Sequence, residues 1–399
     1  MKYLACLLLA LPTVVEAQIV APREAAQIEF GPLSLYPSLR IVDAGIDENV
    51  FNDPANPKED FTFTLASRAL AVLRLGLNEV MFSSGSDYVW FKDYGSERSS
   101  NATYATRFNL SASRFKPFIG AERVRTRVRA STEIDERARR IERLVTLGSG
   151  FNLTERTALT MSAQWSKTTF DQGEQFRGAR LDDALNDTVR SYSAGARYTV
   201  TPFTTFSVTG NFVEDVFPDA QFRDSKSYSL TPMVEFAPEA AIRGRLSAGY
   251  QVFAPEDPGL SDNKGVIVEG ALNWSISGVT TFDVIVGRNV NYSYQDSQPY
   301  YLQTGARLTV TQRLFGPFGL HGSVDRQHLS YRWRRGVIPT TGVRDRVDVA
   351  DVLSGGVMVR LGRGFGLLLG AEKTRRHSSE DVRQNFNRTR LLSNVTIGQ

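Results

Sequence analysis

The sequence predicts an all-β fold: a closed, antiparallel transmembrane β-barrel of about eighteen strands, with short periplasmic turns and longer extracellular loops. Three observations carry that expectation. From about Leu33 the chain breaks into segments of ten or more residues in which apolar and polar side chains alternate, as they do in a strand with one face in lipid and one in water. The connections between these segments alternate between short and long. Beyond the N-terminal segment no run of about 18 apolar residues occurs, so helical spans are excluded, and only a closed sheet crosses lipid with alternating polarity.

Composition agrees. Charged residues make up 23% of the 399 positions, yet the chain carries 24 Phe, 14 Tyr and 32 Gly. Aromatic wealth at a mean hydropathy of -0.25 suits a wall that is apolar on one side only. A net charge of +4 is modest for this length and argues against nucleic acid as a partner.

The N-terminus reads as a signal peptide over residues 1–17, with Lys2, the apolar run Leu4 to Leu11, and Val15-Glu16-Ala17 before the cleavage point. Cys6 is the single cysteine and lies inside it; a lipoprotein reading of Leu4-Ala5-Cys6 would leave almost no apolar segment ahead of the cysteine. The mature chain then has no disulfide, and a closed sheet must hold it together. Residues 18–32 read as a periplasmic leader and 33–399 as the barrel.

Strands are expected in order at 33–46, 60–75 and 79–93, the last two flanking the turn Gly76-Leu77-Asn78. Ser83-Ser84-Gly85-Ser86 interrupts alternation in 79–93, which predicts a bulge. Segments 103–115 and 118–132 flank Lys116-Pro117, and 137–153 and 157–170 flank Thr154-Glu155-Arg156. Further hairpins join 189–201 to 204–217 at Pro202-Phe203, 225–236 to 241–254 at Pro238-Glu239, and 264–277 to 281–294 at Gly278-Val279. The series ends with 300–313 and 318–332 around Gly316-Pro317, 347–361 and 365–376 around Gly362-Arg363-Gly364, and 387–398. Polar loops at 47–59, 94–102, 171–188, 218–224, 255–263, 295–299, 333–346 and 377–386 fall between the hairpins, so both termini should be periplasmic. The connection 133–136 is a short exception, and sixteen strands result if the segments on either side of it are misread.

The stretch Glu122 to Ala130 sets Arg123, Arg125, Arg127 and Arg129 on one face and Val124, Thr126, Val128 and Ala130 on the other. Arginines turned toward lipid would cost about 2–4 kcal/mol each near the midplane. They are therefore expected to line the lumen as selectivity residues, with Arg243, Arg245 and Arg307 as weaker additions. A lumen ringed by arginine concentrates anions, which predicts passive passage of polar, anionic solutes.

Loop 171–188 carries Asp171, Glu174, Asp182, Asp183 and Asp187 with Arg177 and Arg180. At that length it either folds inward as a constriction or stands exposed in solvent. Arg332, Arg334, Arg335, Arg344 and Arg346 form an extracellular basic cluster suited to phosphates of surface glycolipid. Tyr88, Trp90, Phe91 and Tyr94, and Tyr292, Tyr294, Tyr300, Tyr301, Tyr331 and Trp333, read as a headgroup girdle, or alternatively as a stacking platform for sugars. With three histidines, His321, His328 and His377, and no HExxH, GxSxG, GxGxxG or P-loop pattern, no enzyme, metal or cofactor is expected.

The segment Gly31-Pro32-Leu33-Ser34-Leu35-Tyr36-Pro37-Ser38-Leu39, followed by Gly45-Ile46-Asp47-Glu48-Asn49-Val50-Phe51, resembles the opening of the outer-membrane β-barrel porin family associated with exopolysaccharide gene clusters, including the EpsL-like proteins. Pro37, Ser38, Leu39, Asp47, Asn49, Val50 and Phe51 carry the likeness. It implies an outer-membrane barrel, and, as an alternative function, a part in polysaccharide export with periplasmic partners. It brings no catalytic residue. Asp47 and Asn49 read as turn-forming residues. A non-conducting structural or adhesive barrel is a third reading. Outer-membrane lipid, surface glycolipid and the barrel-assembly machinery are the partners of any such chain; its oligomeric state is not legible. The ending Val395 to Gln399 lacks the terminal aromatic residue common among these barrels.

Overall fold

The computed structural model describes residues 28–338, 343–344, 346–361, 365–379 and 384–397. The segment expected to be a signal peptide, most of the expected leader and the turn Gly362-Arg363-Gly364 lie outside the described residues. Among those described, the long strands are Leu33–Asp47 (β1), Asp60–Leu75 (β2), Asn78–Phe91 (β3), Ser99–Asn109 (β4), Phe115–Arg129 (β5) and Arg137–Asn152 (β6). Thr157–Phe170 (β7), Asp187–Thr201 (β8), Thr204–Val216 (β9), Ser225–Phe236 (β10), Ile242–Pro255 (β11) and Asn263–Ile276 (β12) follow. Thr280–Tyr292 (β13), Tyr300–Arg313 (β14), Phe318–Arg332 (β15), Val347–Leu361 (β16), Phe365–Ser378 (β17) and Phe386–Ile397 (β18) complete the set.

Each strand pairs antiparallel with its sequence neighbours, and β1 pairs with β18, which closes an eighteen-stranded barrel. β5 and β6 are separate strands in register from Phe115 opposite Phe151 to Arg129 opposite Arg137, which rules out sixteen. Ahead of β1, Ile28–Phe30 folds back on Leu33 to Leu35 as a short hairpin.

Alternation sorts the two faces. On β6 and β7, Val145, Leu147, Phe151, Leu159, Met161 and Trp165 stand exposed on the outer wall. The intervening residues form polar ladders inside: Ser162 lies 2.5 Å from Ser193, Asn211 donates to Ser229 at 3.2 Å, and Thr309 to Ser323 at 3.1 Å. An apolar outside around a polar inside is the arrangement a barrel needs in lipid.

The closing seam is irregular. Register between β1 and β18 shifts between Ile41 and Ala44, with Asp43 in the left-handed region at φ 53. Past the bulge Gly45 lies so close to β18 that any Cβ would overlap the Leu391 carbonyl oxygen. Gly45→Ala should therefore push the seam apart at a cost of about 1–3 kcal/mol. A lowered urea midpoint for loss of the compact, heat-modifiable band on gels would show it; an unchanged midpoint would mean the seam yields freely.

The bulge expected in 79–93 does not occur, for β3 pairs with both neighbours without a shift. Gly85 instead leaves room for the Arg68 side chain, which reaches Asp87 at 2.6 Å. Pro37 precedes Leu39, the first β1 residue paired to β18, so its missing N–H breaks no bond on that side. Asp47 and Asn49 build the first outer turn as expected: Asn49 N donates to Asp47 Oδ1 at 3.1 Å, and Asp53 N to Asn49 Oδ1 at 3.0 Å.

Candidate functional site

Directly opposed residues on neighbouring strands share a face of the sheet, and this relation settles where the arginines point. Arg123 and Arg125 follow Ile119 and Ala121 on β5, and their partners across β6 belong to the row of Leu147 and Val145. Both are exposed on the outer wall. The expectation that Arg123 and Arg125 line the lumen is therefore corrected. The strand outruns the lipid at its extracellular end, where the outer face meets headgroups and water. Arg127 and Arg129 close over the rim. Arg127 donates to the Ser96 carbonyl and lies 3.3 Å from Glu97. Arg129 donates to the carbonyls of Asp135 and Val50 at 2.6 and 3.1 Å.

Arg243, Arg245 and Arg307 do face the lumen, and each meets an acceptor. Arg243 donates to Asn273 at 2.6 Å, and Asn273 in turn donates to Asp283 at 2.5 Å. Arg245 pairs with Glu269 at 3.2 Å, and Arg307 Nε donates to Asp325 at 2.8 Å. The same pattern recurs at Arg68 with Asp87, at Arg390 with Glu372 at 2.6 Å, and at Arg388, whose Nε donates to Asp47 at 2.8 Å. These pairs give much of the lumen wall a lattice of matched charges.

The segment 130–136 between β5 and β6 is the feature that sequence reasoning passed over as a short connection. It folds into the mouth and reaches the wall on the far side of the ring, formed by β14, β16 and β17. Glu133 is fully buried there: its carboxylate accepts from Ser293 Oγ at 2.7 Å and from Tyr294 N at 3.4 Å, and lies 3.5 Å from Arg346. Arg376 donates to the carbonyls of Thr132 and Glu133, both at 2.9 Å, and to Asp348 at 2.9 Å. Arg346 donates to Asp348 at 2.5 Å and to Gln384 at 2.6 Å, and covers the Tyr331 ring at 4.0 Å. The segment is a strut across the outer mouth, pinned at its far end by a buried ion cluster.

Loop 171–188 is not that strut. It carries a two-residue hairpin, Gln175–Phe176 with Ala179–Arg180, and the short helix Leu181–Leu185 (α1). Phe176 and Leu181 pack with Ala130, Ile134, Ala138, Phe170 and Tyr294, so the loop roofs the strut through apolar contacts. Its charges mostly pair with one another: Arg180 lies 2.8 Å from Asp182 and 3.0 Å from Asp183. Asp171 N donates to the Arg139 carbonyl, Leu181 N to the Glu174 carbonyl, and Arg177 lies over the Phe176 ring. Asp187 caps the start of β8 by accepting from Thr168 N at 3.2 Å. These acids do not face Arg123 and Arg125, because those two arginines lie outside.

Two surface expectations also change. Arg346 cannot touch glycolipid, since it is fully buried in the ion cluster. Arg334 is held by Asp257 at 2.6 Å and Arg332 by Ser330 at 2.8 Å, while Arg335 and Arg344 stay exposed, Arg344 over the Trp333 ring. Phe91, Tyr294, Tyr300, Tyr301 and Tyr331 are buried beneath the outer loops instead of standing in a girdle. The outward aromatic row runs through Trp165, Tyr192, Phe212 and Tyr228, in successive contact at 6.3, 6.3 and 5.0 Å.

Burial pushes the Glu133 carboxyl up from its ordinary value, against the opposing pull of Arg346, Ser293 and Arg376 and with Asp348 adding to the rise. Tyr294, Tyr301 and Tyr331 complete its titratable surroundings. The seated strut thus binds a proton more tightly than a released one. The seat is strongest in acid and weakens as pH rises from the ordinary glutamate value of 4.5 through the raised one. Single-channel conductance should climb across that window and be flat with pH in Glu133→Gln; an equal pH response in both proteins would exclude Glu133 as the titrating group.

Among solved structures the barrel is similar to Pseudomonas aeruginosa OccK2 (OpdF), at 11% identity and a TM-score of 0.50, covering 91% of this chain and 97% of that one. It is also similar to a BenF-like porin from Pseudomonas fluorescens Pf-5, at 12% identity and a TM-score of 0.49, covering 92% and 99%. At these identities the likeness is one of fold. No curated protein matches the chain in sequence. The closed barrel belongs in the bacterial outer membrane with its termini on the periplasmic side. The family model described as "Putative beta-barrel porin 2" matches residues 21–399, nearly the whole length, and the chain belongs to that family.

Proposed function

We propose that this barrel is a passive channel for small polar solutes whose outer mouth is narrowed by the 130–136 strut. The observation that carries the reading is the strut itself, a polar segment held across a polar lumen by Glu133, Arg346, Arg376 and Asp348. An eighteen-stranded barrel is wide enough for an aqueous passage, and such a strut restricts it to small molecules. Because most of the lumen arginines named above are matched by carboxylates, charge preference is weak, and the anion preference expected from Arg123 and Arg125 loses its basis.

Planar-bilayer recordings under a salt gradient test this. Stable channels with weak charge selectivity are expected, and demonstrably folded protein that never conducts would overturn the proposal. Arg123→Gln with Arg125→Gln should leave the reversal potential unchanged. Arg245→Gln, which strips Glu269 of its cation, should move the reversal potential toward cation preference. The opposite pattern would restore the outer arginines as selectivity residues.

The resemblance over residues 31–51 favours a second reading, export of a polysaccharide. A polymer would need the strut displaced, so an acidic oligosaccharide should then block an unseated variant and leave the wild-type channel unaffected.

A further inference from the structure

The lumen arginines named above have partners; on one stretch of the outer wall five cations do not. Among the described residues, the side chains of Arg123, Arg125, Arg139, Arg143 and Lys167 make no ion pair or hydrogen bond, and all five are exposed. The register brings them together. Arg123 stands opposite Arg143, and Arg143 opposite Lys167, with Arg125 and Arg139 nearer the outer end of the same face. Like charges set directly across a sheet repel, so this surface is favoured only with an anion upon it.

Its depth says which anion. Below the cations the outer face of β6 is mainly apolar from Phe151 through Leu147 to Val145, about 20 Å along the strand. That length is comparable to the lipid-facing band of such barrels. Val145 stands opposite Trp165, which begins the aromatic row at the lipid boundary. The next residues outward, Arg143 and Lys167, therefore sit at headgroup depth in the outer leaflet.

We propose that this face binds the phosphates of an outer-leaflet glycolipid. Arg123, Arg143 and Lys167 form its central clamp, and Arg125 and Arg139 take charge farther out. Guanidinium groups grip phosphate through paired, charge-assisted hydrogen bonds, and acyl chains below would lie along Ile119, Leu147 and Met161. The site is on the opposite side of the wall from the channel and does not depend on conduction.

The test uses the full mature barrel in detergent, with native mass spectrometry counting bound bis-phosphorylated lipid A. The triple variant Arg123→Gln, Arg143→Gln, Lys167→Gln should weaken binding on the order of 100-fold, taking about 5-fold for each cation at a charged membrane surface. Heat-modifiable mobility and conductance should stay as in wild type. The variant Arg123→Lys with Arg143→Lys, which keeps the charges but loses the paired hydrogen bonds, should bind between wild type and the triple variant, and wild type should lose binding when the lipid A carries no phosphate. Equal binding by the triple variant, or equal binding of dephosphorylated lipid A by wild type, overturns the proposal. So does displacement of the lipid by millimolar inorganic phosphate, which would make the patch a site for free anions.

Discussion

Arg346→Ala should release the strut and raise single-channel conductance several-fold while leaving the barrel folded. Arg346 is fully buried between Asp348, Gln384 and Glu133. Deleting one partner of a buried ion cluster costs about 3–5 kcal/mol, because the groups left behind keep their charge without its counter-ion. The barrel has a cheaper escape than unfolding. Segment 130–136 is tied to the far wall through this cluster, two carbonyl contacts to Arg376 and the contact of Thr132 with Gln303 at 3.4 Å. Letting go returns Glu133 to water and relieves the cost, whereas the strand ladders of β5 and β6 stay intact. Glu133→Gln, which keeps the shape and mimics the neutral acid that the seat favours, should leave the strut seated and the conductance low. Unchanged conductance in Arg346→Ala, with the band still heat-modifiable, would mean the strut does not limit the passage.

The contrast between strands and strut shows what a sequence of this kind discloses. Strand positions and most faces are legible because lipid enforces alternation: Gln303, Arg307 and Thr309 oppose Leu302, Ala306 and Leu308 in the text of β14, and they do so in space. The rule fails at Arg123 and Arg125 for a physical reason. It assumes that an arginine on a barrel strand has one aqueous side to choose, yet a strand of fifteen residues is longer than the membrane is thick. Near its outer end both faces are wet, and only the apolar residues earlier on the strand, Ile119 and Ala121, tell which is which. The strut left no such trace. Glu133 meets Ser293 across 160 positions and Arg376 across 243, separations over which one sequence carries no pairing signal. Its one visible mark was negative, a connection too short for its place among long outer loops. Arg346 misled in the opposite way, since a basic residue in an outer loop reads as surface until Glu133, Asp348 and Tyr331 enclose it.

The assignment of faces can be tested at adjacent positions in the middle of β7. Met161 is 64% exposed and points to lipid, whereas Ser162 points to the lumen and pairs with Ser193 at 2.5 Å. Met161→Arg should lower stability by about 2–4 kcal/mol, the cost of an arginine on the lipid face near the midplane. Ser162→Arg should cost about 1 kcal/mol, the loss of one hydroxyl contact, with the guanidinium standing in water. Because side chains alternate with a period of two, a slip of one residue would exchange the two results. Urea unfolding in lipid vesicles reads the difference directly. If Ser162→Arg proved the more damaging, the whole of β7 would be inverted. Through the continuous register from β5 to β8, Arg123, Arg143 and Lys167 would then turn inward and the lumen would become the arginine-lined passage that the sequence first suggests.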